Sequence, residues 1–254
     1  MLKQRIIACL DVAGDLVVKG TRFEELRVIG APAELAARYE DQGADEIVFL
    51  DITASIEGRG PRPEVVERVA QRISIPLTVG GGLRSADTVG RVLAAGADKV
   101  SLNTPALARP ELVREASGRF GSQAVVIAVD VRRQGEDWRV YSHGGRTETP
   151  WQLGPWLEAV QALGAGEILL TSIDRDGTGT GYDLDALRHA AQIVHLPIIA
   201  SGGGAAPSQI GAALFLPGIT GVLLAGALHD GRTTIGAIKA ELSAMGVDVR
   251  AAAL

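Results

Sequence analysis

Short, nearly continuous apolar runs rich in β-branched residues alternate with stretches of helical spacing along the whole chain. Strands are predicted near Arg5–Asp11, Glu46–Asp51, Leu77–Val79, Lys99–Ser101, Val125–Asp130, Glu167–Thr171, Ile198–Ala200 and Val222–Ala225. Runs that are apolar at every position suit parallel strands covered on both faces. Helices are predicted over Pro32–Gln42, Pro63–Arg72, Ser85–Ala95, Pro110–Phe120, Gln152–Leu163, Asp183–Val194, Pro207–Phe215 and Thr233–Ala244. Several open on a proline and stop just before a glycine, as at Gly43, Gly96 and Gly164, the usual asymmetry of helix ends. Eight strand–helix units predict an α/β fold, a single closed (β/α)₈ TIM barrel spanning residues 1–254 with no linker or second domain.

The pattern also repeats. Gly80-Gly-Gly82 and Gly202-Gly-Gly204 are 122 positions apart, and Asn103-Thr104 and Ala225-Gly226 keep that offset. Gly43-Ala-Asp-Glu-Ile-Val-Phe-Leu-Asp51 matches Gly164-Ala-Gly-Glu-Ile-Leu-Leu-Thr-Ser172 at an offset of 121. The strands ending in Asp11 and Asp130 are 119 apart. Such long-period self-similarity predicts two similar half-barrels, about 1–121 and 122–254.

Chemistry in such a barrel belongs at the C-terminal ends of the strands. Asp11 and Asp130 end strands 1 and 5, which face each other across an eight-stranded barrel. Two carboxylates there suit general acid–base work on one substrate between them; the plain alternative is that each aspartate only caps its loop. The turns at Gly80–Gly82 and Gly202–Gly204 expose backbone N–H groups suited to phosphate, or simply need positive φ. Each is followed by a small-residue turn, Asn103-Thr104 or Ala225-Gly226, and Asp176-Gly177 adds to the second. The candidate phosphate-binding residues are therefore Gly81, Gly82, Asn103, Thr104, Asp176, Gly177, Gly203, Gly204, Ala225 and Gly226, and a substrate with two phosphates is expected. Loop 1 carries Lys19-Gly-Thr-Arg22, with Lys19 suited to reaching the substrate. Loop 5 carries Trp138-Arg-Val-Tyr141, read as an arm of a small hairpin.

Arg5, Glu46, Lys99 and Glu167 start strands 1, 2, 4 and 6. Charges on a barrel floor should pair, either as a structural cluster or as a gate to a channel. His143, His189, His195 and His229 lack metal-ligand spacing and read as surface or packing residues, so no metal is expected. No dinucleotide or Walker pattern is placed to hold a nucleotide, so no cofactor is expected.

Composition narrows the partners. With a net charge of −5 and 22% charged residues, the chain is not expected to bind nucleic acid or a polybasic-seeking membrane. The single cysteine, Cys9, excludes an internal disulfide and fits a reducing cytoplasm. The opening residues run straight into a strand with no apolar leader, and no run approaches the length of a membrane span, so a soluble protein is expected.

Cys9-Leu-Asp-Val12, Val17-Val-Lys-Gly20, Phe49-Leu-Asp-Ile-Thr-Ala-Ser55, Val79-Gly-Gly-Gly82, Ala97-Asp-Lys-Val100, Gly121-Ser-Gln-Ala124, Gly164-Ala-Gly-Glu-Ile-Leu-Leu-Thr-Ser-Ile-Asp-Arg-Asp-Gly-Thr178 and Ile198-Ile-Ala-Ser-Gly-Gly203 closely resemble one family. It is the cyclase (synthase) subunit of imidazole glycerol phosphate synthase, from histidine biosynthesis. The resemblance covers essentially the full chain. It implies a lyase that takes ammonia from a glutaminase partner in a heterodimer. With it the enzyme converts phosphoribulosyl-formimino-aminoimidazole-carboxamide ribotide (PRFAR) to imidazole glycerol phosphate and aminoimidazole carboxamide ribotide (AICAR). It implies Asp11 as general base, Asp130 as general acid and Lys19 in substrate binding and loop closure. Arg5, Glu46, Lys99 and Glu167 become the ammonia gate, and Asp98 and Gln123 lie near the glutaminase-docking face. The chain departs from the family at Ala13 and Asp15, at Thr149-Pro150, and at Gly226, where a serine frequently stands. Two alternatives stay open at this point: the aldose–ketose isomerase barrel of the same pathway, and a non-catalytic barrel that docks and activates a glutaminase.

Overall fold

The computed structural model describes residues 3–21, 24–54 and 57–251; Arg22 of the loop-1 run and Ser55 of the second strand's motif lie outside them. Eight parallel strands form the barrel: β1 (Arg5–Ala13), β2 (Glu46–Asp51), β3 (Leu77–Gly80), β4 (Lys99–Leu102), β5 (Val125–Gln134), β6 (Glu167–Ser172), β7 (Ile198–Ser201) and β8 (Ile219–Leu224). Each pairs with the next, and β8 closes back on β1 with Arg5 opposite Gly221 and Ala8 opposite Leu224. The helices that follow them are α1 (Pro32–Asp41), α2 (Pro63–Ala70), α3 (Ala86–Ala94), α4 (Glu111–Phe120), α5 (Leu153–Ala162), α6 (Leu184–Ile193), α7 (Pro207–Leu214) and α8 (Ile235–Ala244). The element predictions hold with ends shifted by a few residues; β5 moves most, running on past Asp130 to Gln134, and β8 starts at Ile219 and stops before Ala225. No helix among the described residues is long and apolar enough to cross a membrane.

Alternation along the strands sorts the core into two layers. Ile6, Ala8 and Leu10 of β1 pack outward with the helices, in the large cluster that also holds Val66, Val89, Leu112, Trp156 and Ile238. Ile7 and Cys9 turn inward with Val48, Val126, Leu169, Ile199 and Leu223, filling the barrel axis. A buried ion pair secures the closing seam. Lys239 of α8 reaches Asp45 at 2.8 Å, both side chains are 3% exposed, and the same Asp45 oxygen accepts the Ile6 N–H at 2.8 Å. The last helix is thereby tied to the first strand.

Two loops carry hairpins of their own, the first of them not indicated by the sequence pattern. Beyond β1 the chain turns back as antiparallel strands Leu16–Thr21 and Glu24–Gly30. Lys19 therefore sits in a paired strand rather than a flexible loop. Beyond β5 it does the same with Asp137–Ser142 and Thr147–Gln152, as expected of the Trp138–Tyr141 segment. Pro150 stands on the edge strand, the kind of strand to which proline is largely confined within sheets. Short helices at Thr104–Ala108 and Gly226–His229, not anticipated, follow β4 and β8.

Candidate active site

Inward register carries the site. Arg5, Ile7, Cys9 and Asp11 are alternate residues of β1, so the strand that starts at the floor with a guanidinium ends at the mouth with a carboxylate, ~20 Å away by strand rise. Lys99 and Asn103 relate in the same way through β4 and the residue after it, as do Glu167 and Thr171 on β6.

Asp11 and Asp130, on β1 and β5, stand four strands apart in a closed ring of eight, on opposite walls. Both line one trough with about 1000 Å³ of open space, including solvent at its mouth. Burial pushes the Asp11 carboxyl up to about 7, the charge of Asp176 adds to this, and a 3.5 Å hydrogen bond from the Cys9 thiol opposes it. Asp130 is likewise pushed up to about 7 by burial and then by Asp176, against a 2.9 Å hydrogen bond from the Asn103 amide. Asp176 is itself raised by burial, opposed by a bond from the Gly177 backbone. The Cys9 thiol is raised well above its ordinary value by burial and by Asp11, so it stays a donor. Three carboxyl groups thus share one mouth, all with raised proton affinity, and two of them, Asp11 and Asp130, are poised to exchange protons near neutrality.

The two glycine turns open into this trough at opposite ends. The first end is lined by Gly81, Gly82, Asn103 and Thr104. The second is lined by Lys19, Gly177, Gly203, Gly204, Ala225 and Gly226, and the two ends share Asp11, Asp176, Ser201, Leu223 and Ala225. Both readings of the turns apply together. Gly82 has φ of 70°, and a Cβ there would lie 2.7 Å from the Arg59 carbonyl oxygen; Gly203 has φ of 94°, with 2.5 Å to the Gly181 carbonyl oxygen. Glycine is required for the turn, and its bare backbone is left facing the trough. Among the described residues, no backbone acceptor takes the N–H groups of Gly82, Thr104, Gly203 or Gly226. The Thr104 hydroxyl accepts the His143 N–H at 2.8 Å, joining loop 5 to the first end. Lys19 pairs with Asp230 and points to the Gly226 carbonyl oxygen at 3.4 Å, so it belongs to the second end.

At the floor, Arg5, Glu46, Lys99 and Glu167 meet in one cycle of alternating sign. Arg5 reaches Glu46 at 3.0 Å and also Glu167; Lys99 reaches Glu46 at 3.0 Å and Glu167 at 2.9 Å. Burial works against the Arg5 charge, but the bonds and charges of Glu167 and Glu46 outweigh it and raise its pKa. Asp98 and Gln123 lie exposed at this same end; Asp98 also accepts the Leu77 N–H at 2.8 Å.

Several contributors were not anticipated. Thr78 donates to Glu46 at 2.5 Å, and Thr220 accepts from Arg5 at 2.9 Å, so two hydroxyls complete the ring. A threonine interrupting an apolar strand was the available signal. Asp51, which ends β2 and lines the trough, is clamped by Arg59 at 2.5 and 2.6 Å. Its strand-terminal position matches that of Asp11 and was the clue. Of the histidines, His229 is half-buried, with its Nδ1 at 2.6 Å from the Tyr39 hydroxyl; burial lowers its pKa to about 4, helped by Lys19 and Arg38.

The profile of the family described as "Histidine biosynthesis protein" matches residues 5–234. Three similar proteins, from Myxococcus xanthus, Metallosphaera sedula and Gluconacetobacter diazotrophicus, carry the name imidazole glycerol phosphate synthase subunit HisF. They are 52%, 50% and 52% identical to the chain; each alignment covers 98% of it, and 99%, 100% and 97% of the respective relatives.

Proposed function

The chain belongs to the histidine biosynthesis protein family, and from that membership we propose that it is a HisF-type cyclase, the synthase subunit of imidazole glycerol phosphate synthase. It uses ammonia to convert PRFAR to imidazole glycerol phosphate and AICAR. The observation that carries the reading is a trough with two opposed carboxyls raised to about 7 and a bare-backbone cradle at each end. A substrate with a phosphate at each end would lie across the mouth with its reacting centre between Asp11 and Asp130.

In this reading Asp11 is the general base and Asp130 the general acid. Two coupled groups near 7 favour a pair that holds one proton at neutrality, one member ready to accept and the other to give. Asn103 and Cys9 orient them, and Lys19 covers the second phosphate. Ammonia enters from the floor, where one bridge of the Arg5–Glu46–Lys99–Glu167 cycle must open to admit it; Lys99, on a flexible stem, is the natural mover. A glutaminase docks on the face that carries Asp98 and Gln123 and forms the heterodimer. The isomerase alternative is disfavoured by the floor, since an isomerase has no ammonia to admit.

The test is turnover of PRFAR by the purified chain with ammonium salt at alkaline pH, followed by substrate loss and product identity. Imidazole glycerol phosphate and AICAR are expected without any partner. Isomerisation without nitrogen incorporation would overturn the cyclase in favour of its sibling. With ammonia supplied by a glutaminase, the rate should trace a bell around neutrality, because either arm of the titration removes the singly protonated pair. A flat profile between pH 5 and 9 would remove the pair from the chemistry.

A further inference from the structure

One carboxylate at the second end of the trough carries more cations than it needs. Asp230, just after the short helix Gly226–His229, pairs with Lys19, with Arg27 and, at 3.1 Å, with Arg232. Lys19 and Arg27 are cross-strand neighbours in the hairpin that follows β1. A single carboxylate of loop 8 therefore grips both strands of that hairpin. Away from Asp230, the described residues of the hairpin meet the barrel through the ladder from Leu16 and Val17 to β1, through buried Val17 and Val18 and through Ile29, while Leu16 is 41% and Val28 61% exposed. A two-stranded ribbon is marginal alone, so what holds it against the barrel decides its order.

The same cations face the cradle. Lys19 and Arg232 line the second end of the trough beside Gly203, Gly204 and Gly226. A Cβ at Gly226 would lie 3.1 Å from Lys19 Cε and 3.2 Å from its Nζ, so this glycine leaves the room that the ammonium occupies over the cradle. Asp230 is held below the ordinary carboxylate range, chiefly by the Lys19 hydrogen bond, so it is an anion throughout the neutral range. One anion among three cations leaves a net positive site next to bare backbone N–H groups.

We propose that Asp230 is a positioning residue that stands in for the substrate's phosphate, latching the hairpin over the second cradle through Lys19 and Arg27 and yielding Lys19 and Arg232 to the phosphate when it arrives. Arg232 is on this account a second cationic ligand of that phosphate, supplying from loop 8 a donor that glycine at 226 lacks. The exchange makes no bond and moves no proton. The hairpin stays closed because the phosphate takes over the grip on Lys19. The identity of the phosphate-bearing ligand rests on the cyclase reading; the latch does not.

Hydrogen–deuterium exchange of peptides covering residues 16–30, at fixed pD and ionic strength with and without inorganic phosphate, tests both parts. Asp230→Asn should exchange about fivefold faster than the unaltered chain without phosphate, the scale set by losing two partly screened ion pairs. Phosphate should restore its protection, and should fail to do so in a chain that also carries Lys19→Met. Arg27→Gln, which leaves the Lys19 contact, should show a smaller loss that phosphate also repairs. Unchanged exchange in Asp230→Asn would overturn the latch. Faster exchange that phosphate does not repair would overturn the substitution of phosphate for Asp230. Because the probe is inorganic phosphate and the readout is not turnover, a chain that latched but made no product would overturn the cyclase reading instead.

Discussion

At the floor of the barrel Arg5, Glu46, Lys99 and Glu167 alternate in sign, and each touches two partners of opposite charge. At the mouth Asp11, Asp130 and Asp176 share one sign, and none has an ion pair among the described residues. Burial acts on both ends. At the floor it is overcome by paired charges, and the Arg5 cation is favoured. At the mouth it is reinforced by like charge, and the carboxylate anions are disfavoured. The same physics strengthens a charge at one end and leaves the other ready to change state.

The largest effect should come from removing a mouth carboxyl. Asp11→Asn or Asp130→Asn should lower cyclisation by about 10²–10⁴-fold, the usual weight of a positioned acid or base, with folding intact. Wild-type rates in both would erase the functional side of the contrast. At the floor the loss should fall on stability. Glu46→Gln leaves Arg5 and Lys99 short of a buried partner and should cost about 3 kcal/mol in denaturant unfolding.

The sharpest test is a substitution that stabilises. The Asp11 carboxyl has a native pKa of about 7 against an ordinary 3.8. The native state therefore holds a proton that the unfolded state loses, and stability declines as pH rises from about 4 to 7. Asp11→Asn should remove that decline, giving a gain of about 1–2 kcal/mol at pH 8 and none at pH 3.5 after allowance for partial solvation. A loss of stability at pH 8 would mean that the mouth is as well compensated as the floor. The smallest effect should be at Thr220, whose hydroxyl supports Arg5; Thr220→Val should cost about 1 kcal/mol in the same unfolding measurement.

Much of this is legible in the sequence. The eight strands show because their residues are buried on both faces and read as unbroken apolar runs. Asp11, Asp130 and the floor charges show because polar groups at the ends of such runs stand out. The hairpin after β1 did not show: Leu16–Gly30 mixes apolar and charged residues without strict alternation, and its register slips between Lys19 and Thr21. Asp230 and Arg232 gave no signal, because their meaning depends on Lys19, more than 200 positions away, approaching loop 8. The proton affinities of the mouth were equally hidden, since they arise from burial and mutual repulsion in the assembled barrel.

The alternation of β1 has a consequence for how this interior can change. Arg5, Ile7, Cys9 and Asp11 are all odd-numbered positions of one strand, so the entrance guanidinium and the mouth carboxylate are tied by parity. One residue inserted between them would turn one of the two out among the helices, whatever the inserted residue is. Only paired insertions keep both inside, and those would lengthen the barrel by a whole pleat. The path between its two ends can therefore be re-lined by substitution freely, but it can be resized only in discrete steps.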